Sequence, residues 1–192
     1  MKKLYFLVLW GLFGFTSSLM GQSGQALNNV GFGIGYIPPL VEGIYFDDPW
    51  DFWPNREPSY MLQVSYARQL NQSFRTGIYL EYEKINFSTG TVDTNARFKR
   101  YNLGVDWVGQ FPSTPFHMQL GGYMGFGFLM ANDWDNLTGF DFGLIAGPAY
   151  EAVHFGISAQ VRSGYAPYNS SGTPSGVLLF NPKFVLKFYY RF

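Results

Sequence analysis

Residues 180–192 read Phe-Asn-Pro-Lys-Phe-Val-Leu-Lys-Phe-Tyr-Tyr-Arg-Phe. Phe184, Leu186, Phe188, Tyr190 and Phe192 fall on one parity, and Lys183, Val185, Lys187, Tyr189 and Arg191 on the other. Side chains alternate with period two only in an extended strand, so this stretch predicts a strand with an oily face and a cationic face. The chain ends on that strand, and the rest of it is read as closing onto it.

Working outward, seven further segments share the pattern. Segment 28–37 sets Val30, Phe32, Ile34 and Tyr36 against Asn29, Gly31, Gly33 and Gly35. Segments 59–69, 74–87, 96–111, 116–130, 138–150 and 153–165 alternate in the same way, separated by Gly, Pro, Asn and Ser. The connections run long, short, long, short, long, short, long. Eight strands joined in this rhythm predict an all-β fold whose long connections share one end and whose short turns share the other.

The composition agrees. Aromatic residues make up 20% of the 192 residues and charged ones 14%, against about 25% charged in ordinary soluble domains. Mean hydropathy is only -0.05, so apolar residues are interleaved with polar ones rather than gathered in helical spans. The formal net charge of zero leaves no electrostatic footprint for nucleic acid. The absence of cysteine excludes disulfides and thiolate metal sites.

The N-terminus predicts a removable signal peptide over residues 1–21: Lys2 and Lys3, an apolar stretch over 4–15, then small residues over 16–21. Cleavage before Gln22 or after Ser18 fits. The apolar stretch of roughly twelve residues falls short of the ~20 that a spanning helix needs. Residues 22–192 are then a single domain.

The even strand number, the rhythm of the connections and the terminal Phe192 together resemble small bacterial outer-membrane β-barrels of the OmpA/OmpX type, in a Bacteroidetes-like form. The resemblance covers the whole mature chain. It implies an eight-stranded antiparallel up-and-down transmembrane β-barrel in the outer membrane, with both termini periplasmic and lipid around the wall. It also implies that the C-terminal aromatics Phe188, Tyr190 and Phe192 are read by the barrel-assembly machinery during insertion. No cofactor and no nucleic-acid partner follow from it.

Alternation does not say which face looks outward; a lipocalin-like soluble barrel would turn its aromatics inward. The polar parity is rich in Gly, which suits a crowded lumen, and aromatics gather at strand ends, as in an interfacial girdle. With the apolar face outward, the lumen receives Arg75, Glu81, Glu83, Arg100, Asp106, Asp141, Arg162, Lys183, Lys187 and Arg191. Charges so enclosed persist only when paired, which predicts an ion-pair network filling the narrow tube.

Two relatives within the resembled architecture, the lipid A deacylase and the lipid A palmitoyltransferase, are enzymes. Acyl transfer needs a nucleophile with a base in reach, and the only histidines, His117 and His154, follow short turns at the end away from the outer leaflet. No catalytic motif is assigned. Ser158, four residues from His154 on the same face, reads as lumen packing. Asp133-Trp134-Asp135 reads as turn chemistry rather than a metal site. The long connection over 38–58 is the interaction candidate, through Trp50, Phe52 and Trp53. These features leave three functional expectations: an envelope structural or interaction protein, an accessory subunit of a larger outer-membrane complex for secretion, assembly or uptake, and a lipid A-modifying enzyme.

Overall fold

The computed structural model describes residues 28–39, 43–45, 55–56, 58–88, 95–112, 115–131, 136–170, 176–180 and 182–192. Its strands are β1 (Asn28–Ile37), β2 (Gly43–Tyr45), β3 (Asn55–Arg56), β4 (Ser59–Asn71), β5 (Phe74–Ser88), β6 (Asn95–Phe111), β7 (Phe116–Ala131), β8 (Leu137–Glu151), β9 (Phe155–Ser170), β10 (Gly176–Phe180) and β11 (Lys183–Arg191). Eight of them, β1, β4, β5, β6, β7, β8, β9 and β11, pair in sequence order as antiparallel neighbours, and β11 joins both β1 and β9. These eight strands therefore form a closed up-and-down barrel. The two ends of the described chain zip together: the Asn28 amide donates to the Phe192 carbonyl, and the Phe192 amide to the Asn28 carbonyl, both at 2.9 Å.

Alternation decides the faces. Leu103 is 61% exposed and Leu144 72%, whereas Glu81 is 1% and Arg100 0% exposed. Val30, Leu62, Leu80, Phe126, Phe140 and Phe188 stand on the outer wall, and polar side chains line the lumen. This is the inverse of a soluble barrel and gives lipid the surface it requires. Lumen glycines make room for rings: a Cβ on Gly104 would strike the Tyr79 phenol, and one on Gly127 the Tyr168 hydroxyl.

Three local expectations are corrected. The closing strand resumes at Lys183, and Phe180 belongs to the separate strand β10. Strand β9 begins at Phe155, two residues later than expected, and runs on to Ser170, five residues past the expected end at 165. β10 continues the wall by pairing with β9 and β2, and β3 pairs with the far end of β5, so parts of the 38–58 connection are also sheet. The β8–β9 ladder skips opposite Pro148 and Pro167, because proline has no N–H to give.

Candidate functional site: the sealed lumen

Inward parity delivers the charges, and the stagger of the strands decides which of them meet. At the middle of the lumen, Arg100 from β6 reaches three carboxylates through Nη2: Glu83 Oε2 at 2.6 Å, Glu81 Oε1 at 2.9 Å and Asp141 Oδ2 at 3.7 Å. Lys183 from β11 donates to Glu81 and lies 3.7 Å from Glu83 and 4.0 Å from Asp141. Arg162 from β9 stands 3.6 Å from Glu81 Oε2. Asn102 donates to Asp141 at 2.8 Å. Glu81, Glu83 and Asp141 thus oppose Arg100, Arg162 and Lys183 in equal number, all essentially inaccessible. Burying a charge costs several kcal/mol unless it is matched in this way.

Arg162 is held differently from its neighbours. Its guanidinium carbon lies 4.6 Å from the centre of the Tyr79 ring and 4.3 Å from that of Tyr123; the two rings meet edge to face, 6.4 Å apart at 75°, so the cation sits in the corner between two π-faces. Lys187 and Asp106 form a looser pair at 3.8 Å.

Arg75 and Arg191 are not part of this cluster. Both turn to Glu151 at the short-turn end, at 3.5 Å and 3.2 Å. Gln110 and Tyr189 each donate to the same carboxylate at 2.8 Å, and His117 Nε2 lies 3.7 Å away. Glu151 is not among the lumen residues expected from sequence, because it falls in the short connection between segments 138–150 and 153–165. Its odd number in β8, the parity of Asp141, was the available signal.

A second missed feature is apolar. At the long-connection end Ile85, Phe98, Leu129, Leu137, Ala166 and Tyr168 pack together inside the barrel. Among the described residues the lumen is filled, from the short turns upward, by the Glu151 cluster, Arg162 with its two tyrosine rings, the Arg100 cluster and this apolar layer.

The histidines are separated. His117 is buried near Glu151, whereas His154 lies in the turn outside, its ring stacked on Tyr190 at 6.4 Å between centres. The expectation that His154 shares a face with Ser158 is corrected, since Ser158 points into the lumen. Among the described residues no three His, Cys, Asp or Glu side chains form a metal-holding group. Phe188, Tyr190 and Phe192 all stand on the outer wall. Trp50, Phe52, Trp53 and the Asp133-Trp134-Asp135 stretch lie outside the described residues.

No protein-family model and no curated protein sequence matches the chain. Solved structures do match. The outer membrane protein OprG from Pseudomonas aeruginosa is 12% identical with a TM-score of 0.61, over 87% of this chain and 96% of that one. Neisserial surface protein A is 12% identical with a TM-score of 0.60, over 86% of this chain and 97% of that one. The fold is therefore that of the small eight-stranded outer-membrane barrels.

Proposed function

We propose that the chain is an integral outer-membrane protein without catalytic activity, a structural and interaction component of the envelope that works through its outer connections. The observation that carries this reading is the filled lumen: a balanced ion cluster, an arginine packed against two tyrosine rings and an apolar layer occupy the levels where a conduit would have to run. Trp50, Phe52 and Trp53 are the residues assigned to partner contact, because the 38–58 connection concentrates aromatic and acidic groups. Residues 1–21 serve as the export signal. Both termini face the periplasm, and the aromatics Phe188, Tyr190 and Phe192 guide insertion by the assembly machinery; short turns on that side support the orientation.

The test is extraction of native outer membranes in mild detergent, native electrophoresis, and mass-spectrometric identification of everything that migrates with the chain. Capture of a partner that is lost on Trp50→Ala/Trp53→Ala, with the barrel intact, supports the reading. A fixed stoichiometric partner would make it an accessory subunit of a larger complex instead. A changed lipid A mass spectrum on deletion would overturn it in favour of an enzyme, and steady single-channel conductance in planar bilayers would overturn the sealed lumen.

A further inference from the structure

The alternation inverts near one end of the wall. Along β5 and β6 the outer face carries Ile78, Leu80 and Tyr82 opposite Val105, Leu103 and Tyr101, and the next outward pair is Lys84 opposite Lys99. At the same level the inward residues change from Glu83 and Arg100 to the apolar Ile85 and Phe98. Along these two strands the outward residues are apolar and the inward ones largely polar up to the Tyr82–Tyr101 pair, and beyond it Lys84 and Lys99 stand outside while Ile85 and Phe98 stand inside. That reversal marks where the hydrocarbon ends. From Phe111 to Tyr101 the strand has about the ten residues needed to cross the apolar layer, and Lys99 lies just beyond. The Tyr82 and Tyr101 rings, 5.2 Å apart, sit where aromatic side chains mark the interface.

Two lysines directly opposite each other repel. Both are exposed, and neither has an ion-pair partner among the described residues. They are the exposed lysines among those residues, since Lys183 and Lys187 are buried. An anion between the two ammonium groups removes the repulsion, and at this depth the anion at hand is a lipid phosphate. Below them Leu80, Leu103, Phe126 and Phe128 offer an acyl chain a continuous apolar wall.

We propose that Lys84 and Lys99 clamp the phosphate of an anionic lipid in the leaflet at the long-connection end. The assignment rests on the membrane reading above and adds a specific headgroup site to it. Reconstitution of the wild-type barrel in phosphocholine nanodiscs tests that reading by itself, through insertion alone.

The clamp is tested by native mass spectrometry of the folded barrel titrated with bisphosphorylated lipid A, with the same glycolipid stripped of phosphate, and with inorganic pyrophosphate. The wild type should hold the phosphorylated lipid in preference to the stripped one. Lys84→Gln/Lys99→Gln should weaken the phosphorylated lipid about 20-fold, as expected for two basic groups at a membrane surface. The same variant should leave the stripped lipid unchanged, and Lys84→Arg/Lys99→Arg should retain binding. Equal affinity of the wild type for both lipids overturns the proposal, and this comparison needs no variant. Undiminished binding by the glutamine variant overturns it too. Pyrophosphate bound as tightly as the lipid would replace the lipid clamp with a site for soluble anions.

Discussion

The guanidinium of Arg162 stands 4.3 Å from the centre of the Tyr123 ring, and the Tyr79 ring, 4.6 Å away and edge-on to Tyr123, forms the second wall of the corner that holds it. None of the Arg162 side-chain nitrogens finds a hydrogen-bond acceptor among the described residues, so ring faces and the nearby Glu81 carboxylate are what hold this cation. The Tyr123 hydroxyl also lacks a hydrogen-bond partner there. Tyr123→Phe keeps the π-face and should change unfolding free energy by less than about 0.5 kcal/mol. Tyr123→Leu removes it and should cost ~2 kcal/mol. Denaturant unfolding from phosphocholine bilayers measures both, and equal losses would show that the ring face is unimportant.

Glu81 joins Lys183, Arg100 and Arg162. Removing it leaves one buried cation in excess, so Glu81→Ala should destabilise the barrel by ~3–5 kcal/mol. Lys183→Met restores the charge balance. The double variant should therefore be more stable than Glu81→Ala alone, a non-additive result expected of contacting residues. An unchanged unfolding midpoint for Glu81→Ala would dismiss the network as a stabilising element.

At the short-turn end, Glu151 collects Gln110, Tyr189, Arg75 and Arg191. Glu151→Gln keeps an acceptor oxygen but loses the attraction to two arginines, whereas Glu151→Ala takes the acceptor from Gln110, Tyr189 and Arg75 and leaves Arg191 only the Ala152 carbonyl at 3.0 Å. The expected order is wild type above Gln above Ala, with the alanine variant down by about 2–4 kcal/mol. The readout is the midpoint of the heat-induced mobility shift on gels.

The level of the Lys84–Lys99 row as a hydrocarbon boundary predicts a depth dependence on the outer wall. Leu103 lies two rows closer to the centre, and Met130 is level with Lys99. Leu103→Lys should cost ~2–4 kcal/mol and Met130→Lys no more than about 1 kcal/mol. Equal costs in bilayer unfolding would move the boundary elsewhere.

Much of the molecule was legible in the sequence, since period-two alternation is a local property and each segment declared its own faces. Parity puts Glu81, Arg100, Asp141 and Lys183 on the polar face, and the glycines of that face together with the aromatics at the strand ends point it inward. Tyr79 and Tyr123 also carried the inward parity, but nothing local announced that Arg162 would lie between them. The inversion at Lys84 and Lys99 was written in the chain, yet it reads as a break in pattern until the two lysines are seen to share a level.

By itself, then, the sequence determined the strands, the outward apolar band, the closure on an aromatic C-terminus and the identity of nearly every lumen charge. Only the tertiary structure decided the partners. Glu81 meets Lys183 across 102 residues of chain, and Glu151 becomes the acceptor for side chains from β5, β6 and β11. The physical reason is the stagger of a closed barrel: which inward side chains share a level depends on register summed around the whole sheet, a quantity that no single segment carries.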